Sequence, residues 1–282
     1  MTSPFLLRLT NTLAYFFFLG SGIYSVAGPD GFPDTYAKHE TYLTPAPWAF
    51  AIWGVIHFLF FGFIVWQWFG DSNEVVVNAF GSWFFIAALC TSLWSTLWAT
   101  DHLFLSLILL CFASASITLI YHQLSIRPAP SFTQSLFVHA PISLYHGWLV
   151  YVIWLNILAL FIRTGSDGHK PEHPGLLINV VVGLILAQLT ATAIAYTEYK
   201  GAVGDVPGAF TIAWALFAVS ARQPAAFIKW ASFACGILVT IYAFVPLVRG
   251  RPLTGNAGER ESLLHAPNAG GSRAVSSEEA IV

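Results

Sequence analysis

The chain has 282 residues, 56% of them apolar and only 9% charged, with 12 basic side chains against 14 acidic ones. A soluble domain is about 25% charged, so this chain cannot cover a water-facing surface; its solvent is lipid, in keeping with a mean hydropathy of +0.68. A helix crossing about 30 Å of hydrocarbon needs about 20 apolar residues. Some 158 apolar residues therefore allow about seven or eight spans and leave little for a soluble catalytic domain.

The charged residues cut the chain into charge-free runs at 9–29, 41–70, 75–100, 102–126, 128–162, 173–197, 206–221 and 230–248. Leu, Ile, Phe, Val, Ala and Trp fill these runs without polar alternation, which predicts helices apolar on all sides and excludes a transmembrane β-barrel. The expected spans are 7–27, 46–69, 77–99, 103–124, 134–162, 175–196, 208–223 and 228–248. The first has two readings, because Arg8, the apolar stretch from Leu13 to Phe18 and the triplet Ser25, Val26 and Ala27 also fit a cleavable signal peptide. In the fifth, Pro128 and Pro130 belong to a loop, the helix starts near Thr133 and Pro141 marks a kink. The seventh is short at 16 residues, with Pro207 in its first turn and Arg222 placed to snorkel.

With eight spans, Lys and Arg divide seven against five between the two sides, which places both termini in the cytosol. From Arg249 onward the chain is polar and rich in Gly and Ser, which predicts a disordered tail. There Glu259, Leu263 and Leu264 have the spacing of an acidic dileucine sorting signal, and Ser276 and Ser277 precede two glutamates.

No charged residue lies inside a span apart from Arg8 at one end and Arg222 and Lys229 at boundaries. Coupled transporters keep an ionisable group in the membrane, so this pattern speaks against a pump or proton-coupled antiporter. Phosphate-binding loops, zinc-protease motifs and nucleophile elbows are missing from the sequence, and no catalytic residue or metal ligand is assigned. Glu198, Lys200 and Asp205 read as a solvated interhelical loop. Cys90, Cys111 and Cys235 read as packing residues within spans. His102 and His122 fall on opposite faces of one helix, and His139 and His146 share a face without a second paired helix, so interfacial or hydrogen-bonded histidine is favoured over haem ligation.

The informative excess is tryptophan, eleven residues. Trp66, Trp68, Trp83, Trp214 and Trp230 suit the aromatic belt at the lipid interface. When successive spans alternate in direction, Trp48, Trp53, Trp94, Trp98, Trp154 and Asn156 fall on one side of the membrane, beside the loop 28–45. Trp94 and Trp98, four residues apart, share a helix face, and an amide such as Asn156 seeks a partner inside the bundle. An aromatic-walled pocket and an aromatic belt plus packing both remain open for this cluster.

The stretch YLTPAPWAFAIWGVIH from Tyr42 to His57 resembles the second helix of the tryptophan-rich sensory protein or translocator protein (TspO) family. LCTSLWSTLW, Leu89 to Trp98, resembles its third helix, and PISLYHGW, Pro141 to Trp148, continuing to Asn156, its fifth. The chain departs from compact members at His57, where they have Tyr, at Leu144, where they have Pro, and at Leu160, where some have Trp. The resemblance implies an all-α, polytopic membrane helix bundle of about eight transmembrane helices. It divides the chain into a five-helix unit (1–163), an additional three-helix segment (164–248) and the tail (249–282). The family keeps its first helix, which favours the anchor over the signal peptide. The segment from Pro207 to Trp214 also echoes that from Pro47 to Trp53, as an old internal repeat would.

Carried over from the family, Trp48, Phe50 and Trp53 would form pocket wall and loop support, His57 would join them, Trp94 and Trp98 would stack on a ring, and Tyr145, Trp148 and Asn156 would form the opposite wall. The implied ligand is planar and apolar, a porphyrin (tetrapyrrole) or sterol, bound for sensing, sequestration or translocation without covalent chemistry. No cofactor is expected beyond a bound tetrapyrrole as ligand. The expected partners are membrane lipid, that small molecule and a second copy of the chain in a homodimer, and no nucleic acid. A facilitator for a small solute is the alternative, and a tetrapyrrole-degrading enzyme a minor one. The expected location is an internal membrane, with vacuolar, endolysosomal and plasma membranes as options.

Overall fold

A computed structural model describes residues 3–28, 38–69, 72–127, 129, 131–161, 174–199 and 204–248, with 246–248 described by backbone alone. The expected spans correspond to eight helices: α1 (Pro4–Ala27), α2 (Pro47–Trp66), α3 (Trp83–Ala99), α4 (Leu103–Ser125), α5 (Phe132–Phe161), α6 (Leu176–Tyr199), α7 (Val206–Arg222) and α8 (Ala226–Val248). Five of them, α2, α4, α5, α6 and α8, are long and apolar enough to cross a membrane, while α3 and α7 are shorter apolar helices. The chain is an all-α polytopic membrane bundle, and the described residues hold no strand. The polar tail, with Glu259, Leu263, Leu264, Ser276 and Ser277, lies outside the described residues, as do Pro128 and Pro130.

Local chemistry explains where the helices stop. The third begins at Trp83 instead of 77, because Val75–Phe80 forms a π-turn closed by Gly81 at φ 47°, a conformation that only glycine adopts cheaply. α3 and α4 reverse through a tight turn in which His102 N donates to Leu97 O (2.9 Å) and Asp101 sits at φ 65°. In α5, Ser131 caps the start by accepting from Gln134 N (3.2 Å). The helix then widens into a π-turn at Ser135–His139 just before Pro141, whose missing N–H and bulky ring cannot continue a regular ladder.

α5 is the core element: Ile142, Tyr145, Trp148, Leu149 and Tyr151 are fully buried. It packs against α4 on one side and α7 on the other, and α7 in turn packs against α6 and α8. The α5–α7 contact is backbone to backbone. A Cβ on Gly147 would stand 2.8 Å from Gly208 O and 3.2 Å from Thr211 Cβ, and one on Gly208 would meet the Tyr196 ring at 2.9 Å. Small residues at crossings are how membrane helices approach closely when no hydrophobic effect drives them together.

Gly147→Val should force α5 and α7 apart and destabilise the protein by about 1–3 kcal/mol, the usual overpacking cost. Gly20→Ala, at a position with nothing within 4 Å of its added Cβ, should be nearly neutral. Thermal unfolding in detergent compares the two, and equal midpoints would refute the close crossing.

Candidate functional site

A cavity of about 630 Å³ lies between α1, α2 and α3. α1 contributes Tyr15 and Phe18 and, beyond them, the small residues Ser21, Gly22 and Ser25; α2 contributes Phe50, Trp53 and His57; α3 contributes Thr91, Ser92, Trp94 and Ser95. Four of the residues expected from sequence, Phe50, Trp53, His57 and Trp94, thus share one wall system. The rings are set edge to face: Phe18 meets Trp53 at 5.7 Å and 87°, and the His57 ring lies 4.6 Å from Phe18. Tyr15 Oη donates to His57 O (3.0 Å), tying α1 to α2 at mid-height.

Three more of the expected residues stand behind this wall. Tyr145 stacks on Phe18 (5.6 Å, 26°), meets Trp53 edge-on (5.5 Å) and pairs its hydroxyl with Thr91 Oγ1. Trp148 lies edge-on to Phe50 (5.9 Å) and Trp53 (6.4 Å). Asn156 is fully buried. Its amide oxygen accepts from Trp94 Nε1 (3.2 Å) and Ser106 Oγ (2.9 Å) while its nitrogen donates to Leu103 O (3.3 Å), the orientation that gives both amide atoms complementary partners. Asn156 therefore orients the Trp94 indole from behind.

The remaining expectations fall elsewhere. Trp98 is buried beside Trp94 and against the His39 ring (5.1 Å), outside the cavity lining. Trp48 is 43% exposed and lies edge-on to Trp214 at 4.7 Å. Trp154 turns to α6, donating to Gln188 Oε1 (2.7 Å). Of the loop 28–45, residues 29–37 lie outside the described residues, and none of 38–45 lines the cavity. Sequence reasoning passed over the α1 contribution and the small polar residues of α3, though not Trp94. Their signal was Ser and Thr recurring three or four apart in apolar helices, at Ser21 and Ser25 and at Thr91, Ser92 and Ser95.

The segment entering α2 is held by α7. Its residues Thr41, Tyr42, Leu43 and Thr44 are buried without being helical, so their backbone groups need partners. Gln223, just past the end of α7, donates from Nε2 to Thr41 O (3.2 Å) and Thr44 O (2.7 Å). Ala46 N donates to Ala218 O (2.9 Å), Trp214 Nε1 to Ala49 O (2.9 Å) and, from α5, Tyr151 Oη to Leu43 O (2.6 Å). Arg222 reaches Glu40 through two nitrogens at 3.1 Å. Trp214 is thus a clamp in the bundle and not a belt residue, as its sequence position suggested.

Asp205 also corrects its sequence reading. It is 2% exposed, not solvated, and caps α7 by accepting from Gly208 N (3.3 Å). Beside it Tyr121 stacks on His146 (4.9 Å, 10°), whose two ring nitrogens pair with Thr118 Oγ1 and Tyr196 Oη. Asp205 N donates to Tyr196 O (2.8 Å). Asp205 stands between two charge-free runs, 173–197 and 206–221, so counting charges by run placed it in a solvated loop. Glu198 is exposed, and Lys200 lies outside the described residues. Among the described residues no group of three His, Cys, Asp or Glu is arranged to hold a metal.

Removing the Gln223 amide takes from the buried Thr44 carbonyl its donor, at about 1–3 kcal/mol, and leaves Thr41 O with Thr44 N alone (3.1 Å), whereas the part-exposed Arg222–Glu40 pair contributes about 0–1 kcal/mol. Gln223→Ala should therefore lower the unfolding midpoint and speed proteolysis in the 38–46 segment more than Arg222→Ala does. The reverse order would show that the clamp is electrostatic.

No curated protein and no solved structure matches the chain. The family model described as TSPO-like protein matches residues 8–245, through the helices α1 to α5 and on across α6, α7 and nearly all of α8. By that match over most of its length, the chain belongs to the TSPO-like protein family.

Proposed function

We propose that this membrane protein binds a flat, apolar small molecule in the cavity between α1, α2 and α3, for sensing, sequestration or movement across an internal membrane. The observation that carries this reading is the cavity itself. Its volume of about 630 Å³ falls in the range of about 300–1,000 Å³ usual for small-molecule sites, and its wall is aromatic, with a few hydroxyls and one imidazole. Membership of the TSPO-like family and the resemblance to translocator proteins add porphyrins and sterols as ligand candidates. Binding proceeds by stacking and burial, with no covalent step. Both termini lie in the cytosol on this reading, following the loop cations.

The roles of the aromatic residues follow from their positions. Phe50, Trp53 and Trp94 offer ring faces and edges to the ligand, while Tyr145, Trp148 and Asn156 hold those rings in place. Rotamers locked from behind lose less entropy when a ligand arrives.

Titration of purified protein with protoporphyrin IX dimethyl ester, followed by porphyrin absorbance and tryptophan quenching, tests this. Trp53→Ala combined with Trp94→Ala should weaken binding about ten-fold or more, because each stacked aromatic contributes about 0.5–1.5 kcal/mol beyond its buried area. Trp230→Ala, at a residue 62% exposed on α8, should leave it unchanged. Full affinity in the double variant removes the cavity from consideration, and solute flux into liposomes without porphyrin binding favours a facilitator.

A further inference from the structure

Away from the cavity, one polar side chain stands where lipid gives it nothing to bond. Gln188 lies midway along the 24 residues of α6, the depth at which a spanning helix is farthest from water, and it is exposed. The chain meets only part of its need. Gln188 Oε1 accepts from Trp154 Nε1 (2.7 Å), and its Nε2 gives one hydrogen to Thr192 Oγ1 (2.8 Å). A side-chain amide has two N–H donors and two acceptor lone pairs. One of each on Gln188 is therefore without a partner among the described residues, and in hydrocarbon an unbonded amide is costly.

The surroundings of Gln188 leave that group open to another helix. α6 packs on α7 and α8 through its other side. On the open side Ala187, Ala191 and Ala195 recur every fourth residue and are exposed, and Val180 and Leu184, 49% and 66% exposed, continue the same face. Side chains that end at Cβ let a second helix come close enough for an amide to bond across the crossing.

The group that completes Gln188 has to bring a donor and an acceptor to the bilayer centre. Lipid tails carry neither, and headgroups stay at the surface. A second copy of the chain brings both. Every copy inserts in the same orientation, so its Gln188 sits at the same depth, and across a two-fold axis along the membrane normal each amide gives its spare N–H to the oxygen of the other. The amide is its own hydrogen-bonding complement.

We infer that this protein forms a symmetric dimer through the exposed face of α6, centred on Gln188 of both copies. The interface lies beyond the five helices that resemble translocator proteins, in the segment that follows them. It also stands next to α7, the helix that braces the start of α2.

Full-length protein labelled on its C-terminal tail with donor or acceptor fluorophores, mixed in large liposomes at falling protein-to-lipid ratios, tests this by energy transfer. Wild type should associate. Gln188→Leu should raise the ratio needed for half-association about ten-fold, the scale of one or two interhelical amide bonds in a membrane. Ala191→Ile should raise it at least as far by holding the helices apart. That variant leaves the Gln188 bonds to Trp154 and Thr192 in place, so its effect is not a consequence of disturbing them. Phe112→Leu, at a residue 60% exposed on α4, should change nothing. With Cys90, Cys111 and Cys235 replaced by alanine, Ala187→Cys should be oxidised by copper phenanthroline to a disulfide-linked dimer, and Phe112→Cys should not. Absence of transfer at every ratio overturns the inference, as does half-association unmoved in both Gln188→Leu and Ala191→Ile. Cross-linking at Phe112→Cys as complete as at Ala187→Cys also overturns it, and each of these results leaves the cavity reading standing.

Discussion

The bundle depends on how one buried, non-helical stretch satisfies its backbone. In lipid a helix meets its own hydrogen-bonding needs, but a stretch that is extended and buried must borrow partners. Residues 41–46 do so from α7 and α5. Gln223 takes two carbonyls, Tyr151 takes a third, and Ala46 N bonds to Ala218 O. This arrangement sets where α2 begins and how it leans, because Trp214 fixes Ala49 in the first turn of that helix. The aromatic wall made by Phe50 and Trp53 is therefore placed by a helix more than 150 residues downstream in the chain. The α6–α8 segment is a structural part of the site's support.

The opposite side of the cavity is held more lightly. α1 is anchored at its beginning, where Arg8 donates to Ser72 Oγ (2.9 Å) and Asn73 Oδ1 (2.8 Å) and the Gln67 amide donates to Arg8 O (3.1 Å) and Thr12 Oγ1 (3.0 Å). Past Tyr15 it carries Gly20, Ser21, Gly22 and Ser25, and its last polar link to α3 is Ser25 to Ser95 at 3.4 Å. Small side chains there leave volume where a bulkier helix would fill it. The α2 and α3 rings are braced from behind by Tyr145, Trp148 and Asn156, whereas the end of α1 offers mostly small residues, so the cavity keeps its shape on the aromatic side.

Much of the architecture was legible beforehand, for a physical reason. Hydrocarbon excludes charge, so the runs between charged residues mark the spans, and the helices follow them to within a few residues. The main slips came where backbone geometry intervenes. The π-turn and Gly81 delay α3 to Trp83. At the site, alternating span directions sufficed to bring Trp53, Trp94 and Asn156 to one end, and Asn156 does reach Trp94. Which side of a helix a tryptophan takes was not readable from residue type. Trp48 turns to Trp214 and Trp154 to Gln188 instead of joining Trp94.

Composition and charge spacing by themselves determined the solvent, the number and order of helices and the end of the bundle where aromatic residues gather, because each depends only on which side chains lipid tolerates. The three quoted motifs pointed to the family. Tertiary structure alone decided that Asp205 is buried against tyrosine and histidine and that α7 clamps the entrance to α2. It also decided that serines of α1 and α3 line the cavity. Those features depend on which faces of distant helices meet, a choice made by close glycine crossings and long-range hydrogen bonds that leave no periodic trace in the chain.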